Sequence, residues 1–166
     1  MGWLAAVGAG FIAILAVVIG TYFVGMRFKL GFAQRAVIAF TKHVVNPQMR
    51  KTAGQAGAGA AIIRNVGRSS GRVYETPVGA EPIDGGFVIA LPYGSRPNWL
   101  RNVLAAGGAT LVHQGAEYRV DRPELVPLEP MASAFSASDQ KLHRMFHVDE
   151  ALRVRVVADE AGAAAA

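Results

Sequence analysis

Hydrophobic and polar positions fall into three textures along the chain. From Trp3 to Met26 no charged residue occurs, and most positions are Ala, Val, Ile, Leu, Phe or Gly. About 20 apolar residues suffice for a helix to cross the hydrocarbon core of a bilayer. Nothing basic precedes this run, and it is longer than the apolar core of a cleaved signal peptide. It therefore predicts one membrane-spanning helix, with residues 1–29 as an anchor. Next, Leu30, Ala33, Val37, Phe40 and Val44 recur at helical spacing, while Arg35 and Lys42 fall on another face. This predicts an amphipathic helix over 30–45, stopped by Asn46-Pro47, whose apolar face meets either lipid or the folded domain. The small residues of Thr52 to Gly59 read as a linker, so residues 30–59 are taken as helix and linker.

From Ala60 onward the period shortens to that of strands. The runs Ala60–Val66, Val73–Ala80 and Phe87–Leu91 are β-prone, and Asp84-Gly85-Gly86 is a turn expected to join the second to the third. A helix is predicted from Pro97 to Ala106, with proline at its start and Gly107-Gly108 after its end. Ala109–His113 and Glu117–Arg122 form an expected hairpin around Gln114-Gly115. A second helix is expected over Ser138–Phe146 and a last strand over Leu152–Val156. Six short strands with two or three helices make an α+β, β-barrel-like domain over residues 60–158, large enough for one core. Residues 159–166 read as a disordered tail.

Charge sharpens the topology. Residues 1–74 carry nine Lys or Arg and no acidic residue, and the remainder carries eight basic and all 12 acidic ones. Arg27, Lys29, Arg35, Lys42, Arg50 and Lys51 directly follow the uncharged run. Basic residues flanking a spanning helix mark the cytoplasmic side and attract anionic lipid. The expectation is a single-pass protein of the cell membrane with its C-terminal domain in the cytoplasm. Nucleic acid is not the expected partner, because neither interleaved aromatics nor a binding-module signature accompanies the charge. With no cysteine in the chain, disulfides, thiolate catalysis and zinc ribbons are excluded. Gly8-Ala9-Gly10-Phe11-Ile12-Ala13 fits a loose dinucleotide fingerprint. No strand can precede it and no acidic residue follows at the required distance, so it is rejected.

The chemistry concentrates around Gly67-Arg68-Ser69-Ser70-Gly71-Arg72. A tight glycine turn between strands presents several backbone N–H groups and two guanidiniums to one point, the makings of an anion nest. The same residues also suit an ordinary basic hairpin turn. Trp99 and Asn102 stand three apart on the first predicted helix, so they share a face, and the helix N-terminus adds further amides. Together these could hold a flat, phosphate-bearing cofactor, or Trp99 is core and Asn102 a surface polar group. His143 and His147 have the spacing of a metal pair but lack carboxylates or cysteines to complete a shell, so no metal is expected. They remain, with Tyr93, candidates for a catalytic proton donor.

In order and spacing, these motifs resemble the deazaflavin-dependent nitroreductase family of actinobacterial oxidoreductases, relatives of the flavin-binding split β-barrels. The resemblance rests on Asn46-Pro47, the Gly67–Arg72 turn, Thr76-Pro77-Val78, Ala90-Leu91-Pro92-Tyr93-Gly94, and the stretch Trp99-Leu100-Arg101-Asn102-Val103-Leu104-Ala105-Ala106-Gly107-Gly108. Val148-Asp149-Glu150 with Leu152-Arg153-Val154-Arg155 adds to it, so it covers about residues 46–157. It implies a split barrel, FMN-binding-like, that holds coenzyme F420, with FMN as the alternative cofactor. Gly67, Arg68, Ser69, Ser70, Gly71 and Arg72 would hold its phosphate, and Thr76, Pro77 and Val78 would line the ring edge. Tyr93, Gly94, Ser95, Trp99 and Asn102 would wall the ring and phosphate linker. The implied reaction is hydride transfer to a quinone, nitroaromatic or other activated double bond, a non-catalytic lipid- or cofactor-binding member being the rival from another class. Asn65 departs from the pattern, since relatives often have His or Thr there. The apparent anchor tilts the expected acceptor towards quinones or other lipid-like molecules, with membrane lipid and a second copy of the chain as partners.

Overall fold

Inward and outward residues alternate along seven strands: β1 (Ala61–Val66), β2 (Val73–Val78), β3 (Ala80–Ile83), β4 (Gly86–Ala90), β5 (Gly108–His113), β6 (Ala116–Pro127) and β7 (Glu150–Val156). They appear in a computed structural model that describes residue 49 and residues 51–157. The expected spanning helix, the helix at 30–45 and the C-terminal tail lie outside the described residues. Among the described residues no helix is long and apolar enough to cross a membrane.

All strands join one antiparallel sheet in the order β2-β1-β5-β6-β7-β4-β3. This order forces a curl. β2 and β3 end the sheet on opposite sides, yet only Gly79 separates Val78 from Ala80. A flat sheet of seven strands would hold its edges many strand spacings apart. The sheet must therefore wrap into a barrel-like α+β half-barrel, whose two edges meet through the chain itself. Here the sequence expectation needs correction. Val73–Ala80 is not one strand hairpinned to Phe87–Leu91; it breaks at Gly79, and only the β3 half pairs with β4, across Asp84-Gly85. Its β2 half pairs with β1, with Val66 opposite Val73 and Ala61 opposite Val78.

The curl encloses the main core. Ala61, Ile63, Val78, Phe87, Ile89, Leu111, Val120, Leu152 and Val154 point inwards, and Leu100 and Val103 come down from helix α1 (Asn98–Ala106). Helix α1 ends on Gly107, whose φ of 70° is the left-handed conformation that glycine adopts without strain. A smaller second core lies on the outer face of β4 and β7. There Val88 and Ala151 meet Leu128 and Phe135, which flank a 3-10 helix (Glu129–Ala134) that the sequence pattern does not reveal. Helix α2 (Ala137–Phe146) follows; the Ser136 side chain accepts from the Asp139 N–H at its start.

Two further local findings depart from the sequence expectation. β6 runs on to Pro127 instead of ending at Arg122, because a bulge at Arg122-Pro123 lets it bend and resume pairing at Glu124 opposite Arg153. Arg122 takes a positive φ of 48° there. The small-residue stretch expected as a linker is tied to the β5–β6 turn. The Gln114 side chain accepts from the Gly57 N–H at 2.6 Å and donates to the Ala58 carbonyl at 2.9 Å. The Gly115 N–H also donates to the Gly54 carbonyl at 2.6 Å.

Candidate functional site

The glycine turn connects β1 to β2 and closes on itself. Gly67 donates its N–H to the Arg72 carbonyl at 2.7 Å, and Gly71 donates to the Gly67 carbonyl at 2.8 Å. Gly71 has a φ of 65°, which glycine supplies freely. Gly67 serves by having no side chain: a Cβ there would come within 2.6 Å of the Tyr74 ring and 2.5 Å of the Ser70 hydroxyl. The Tyr74 hydroxyl and Ser70 Oγ in turn hydrogen-bond at 3.1 Å, and the Arg72 N–H donates to Ser70 Oγ at 3.4 Å. Aromatic ring, hydroxyl and glycine thus fix the shape of the turn from within.

Helix α1 fixes it from outside. Asn102, only 5% exposed, accepts through Oδ1 from Arg68 Nη1 at 2.8 Å and from the Arg68 backbone N–H at 3.3 Å. Arg68 Nη2 also donates to Asn98 Oδ1 at 3.5 Å, as does Arg101 Nη2 at 2.8 Å. The turn and the helix N-terminus, expected to converge, are brought together by Arg68 and Asn102. Asn98 and Arg101 belong to the same constellation. Sequence reasoning passed over both, although Asn98, Arg101 and Asn102 lie at the three- and four-residue spacing that shares a helix face.

Ser69 is exposed at the tip of the turn, and Thr76 and Val78 lie on the inward side of β2, opposite Ile63 and Ala61. Pro77 stands opposite Ile62. Trp99 packs, partly buried, against the main core. It therefore has a packing role whatever else its ring faces.

The loop leading into α1 lines a cleft. This cleft of about 350 Å³ is lined by Tyr93, Gly94, Ser95, Arg96, His147 and Glu150, among others. The expected site residues thus fall into two groups. Gly67–Arg72 and Asn102 form one, and Tyr93, Gly94, Ser95 and His147 form the other.

The two histidines occupy different settings. His147 caps α2 in a left-handed conformation, φ 52°, so the helical register that would face it beside His143 is broken. His143 sits edge-on to Phe135, ring centroids 4.9 Å apart, with a buried Nδ1 that has no hydrogen-bond partner. Burial pushes its pKa below the ordinary histidine range, against a smaller opposing pull from Asp139. Among the described residues no group of three or more His, Asp or Glu side chains could hold a metal ion.

Asn65 carries a different signal. It is 3% exposed, on the same side of β1 as Ile63, and neither amide atom has a partner.

No family model matches the chain, and no curated protein matches it. Solved structures that resemble it exist; one superposes with a TM-score of 0.41 at 15% identity, covering 66% of this chain and 78% of that one. A likeness of that grade assigns neither an activity nor a ligand.

Proposed function

We propose that the protein is a membrane-anchored oxidoreductase of split-barrel, FMN-binding-like architecture that binds coenzyme F420 in its reduced form and passes a hydride to a quinone, nitroaromatic or other activated double bond. The observation that carries this reading is the charge around the glycine turn. Arg68 and Arg101 meet at one amide oxygen, with Arg72 at the end of the same turn. Among the described residues none of the three forms an ion pair with a carboxylate, whereas Arg64 binds Glu75 and Glu117, and Arg153 binds Glu124. Cations left without a counter-charge beside a helix N-terminus suit a phosphate ester.

Each group then has a task. Arg68, held in place by Asn102, and Arg72 bind the phosphate; the hydroxyls of Ser69 and Ser70 lie beside it. Gly67 and Gly71 keep the turn open to close approach. The loop from Tyr93 to Ser95 walls the ring, and Tyr93 and His147 in the cleft beyond it are the proton donors within reach of an acceptor. When bound, the deazaflavin supplies the hydride; the protein positions it and excludes water. The uncharged run at residues 3–26, followed by basic residues, supports a cytoplasmic domain that meets lipid-like acceptors and membrane lipid. A homodimer is the expected assembly.

The test is a titration of the full chain, in a zwitterionic detergent, with F420 and with FMN. Retention of the deazaflavin absorbance band through gel filtration, and its bleaching on reduction followed by recovery with a quinone, supports the reading. Retention of FMN alone transfers the chemistry to the flavin. Retention of F420 without turnover makes the protein a binding module, and retention of neither overturns the proposal.

A further inference from the structure

Arg68 and Arg101 donate to the same oxygen, Asn98 Oδ1, at 3.5 and 2.8 Å. Their cationic nitrogens therefore lie within two hydrogen-bond lengths of each other, where like charges repel. A neutral amide oxygen accepts from both but cancels neither charge. Nothing else described here does so, for neither guanidinium ion-pairs with a carboxylate among the described residues. The first turn of α1 holds no acidic residue and no side chain caps it, so its free N–H groups add charge of the same sign. Meanwhile Asn102 Oδ1 accepts from the Arg68 guanidinium at 2.8 Å, which keeps it from swinging away to relieve the repulsion, and from the Arg68 backbone N–H at 3.3 Å.

We propose that Arg68 and Arg101 are the two arms of a clamp for a single phosphoryl oxyanion, which takes the place of Asn98 Oδ1 between them. The clamp rests on the reading of the turn as a phosphate site and deepens it. Arg101, supplied by α1, is the arm that the glycine turn itself lacks. Asn98 is the stand-in that holds both guanidiniums until the anion arrives. Because guanidinium presents a planar fork to phosphate, lysine in either arm would keep the charge and lose the fit.

The experiment compares wild type, Arg101→Gln, Arg101→Lys and Arg119→Gln, all as full chain in zwitterionic detergent. Arg119 is exposed on β6 and provides a matched loss of charge. Binding of inorganic phosphate is followed by the side-chain Nε–Hε resonances of arginine, and binding of F420 and FMN by calorimetry. Losing one charge-assisted arm should weaken inorganic phosphate and whichever cofactor binds by about 10- to 150-fold in Arg101→Gln. Arg101→Lys should recover only part of that loss, and Arg119→Gln should match wild type. Equal phosphate binding by wild type and Arg101→Gln, with both folded by circular dichroism, overturns the clamp. If F420 binds both equally, the clamp falls while the cofactor reading stands. If phosphate binding depends on Arg101 but neither cofactor binds, the clamp stands and the cofactor reading falls. In that case competition by micellar phosphatidylglycerol assigns the phosphate to a lipid headgroup.

Discussion

At the scale of single residues, the informative positions are Asn65 and His143, whose buried polar atoms lack partners among the described residues. Asn65 buries an amide with neither atom hydrogen-bonded, in a strand whose neighbours on that face are aliphatic. An unsatisfied buried side-chain amide costs about 1–3 kcal/mol. Asn65→Val removes both and suits a β-strand, so it should raise unfolding free energy by about 1–3 kcal/mol in urea titrations. A loss of stability would mean that the amide is satisfied by something bound. His143 gives a pH dependence with a definite sign. Burial lowers its folded pKa below the value of 6.5 that it has when exposed, so the unfolded chain binds the proton more readily. Its contribution is therefore intact above pH 6.5 and is lost as pH falls below that towards the folded value. His143→Leu should flatten the fall in melting temperature between neutral and mildly acid pH. A slope unchanged by the substitution would place the titrating group elsewhere.

At the scale of elements, the β5–β6 hairpin, the turn at Asp84-Gly85 and helices α1 and α2 were legible because each is specified locally. Gln114-Gly115 and Asp84-Gly85 carry positive φ at Gln114, Gly115 and Gly85, and Gly107 ends α1 in the same way. What escaped depends on distant neighbours. β6 continues past Arg122-Pro123 because β7 offers it a second stretch of ladder, although proline reads locally as a stop. The glycine- and alanine-rich stretch before β1 has the composition of a linker, yet the side chain of Gln114, more than fifty residues away in sequence, pins it. Gln114→Ala should release that stretch. Limited proteolysis is expected to cut within residues 52–59 at least several-fold faster in the variant, while residues from β1 onward stay protected. Equal cutting rates would show that packing of Gly54 on Val112 suffices.

At the scale of the whole molecule, fold class was readable and site assembly only partly so. Counting β-prone runs gave a barrel-like α+β domain, because inward residues recur at period two along every strand. It missed that Gly79 divides one run between opposite edges, since a single exposed glycine with open space around it looks like any other loop residue. Among the candidate residues, the turn and Asn102, which the structure brings into contact, were picked out by type and spacing. Arg101 was not, because only the approach of α1 to the turn shows that its charge goes unanswered. The division of the expected residues between the turn and the cleft was equally invisible, since it depends on the approach of His147 and Glu150, more than fifty residues away in sequence, to the loop from Tyr93 to Ser95.

The half-barrel also has a consequence for behaviour at high concentration. No hydrogen-bonded ladder joins β2 to β3 among the described residues, so each has a rim of backbone groups that no described strand pairs. Such rims invite other chains to add on and grow into fibrils. Both are blunted in the sequence: β2 contains Glu75 and Pro77, and β3 is four residues long with Glu81 and Pro82. Proline offers no donor, and a carboxylate repels its own copy in a neighbouring chain. Replacing Glu81 and Pro82 together by Thr and Val should leave Ala80 seated in the main core yet produce thioflavin-positive deposits on prolonged incubation where wild type stays clear. These two residues would then matter most for keeping copies of the domain apart.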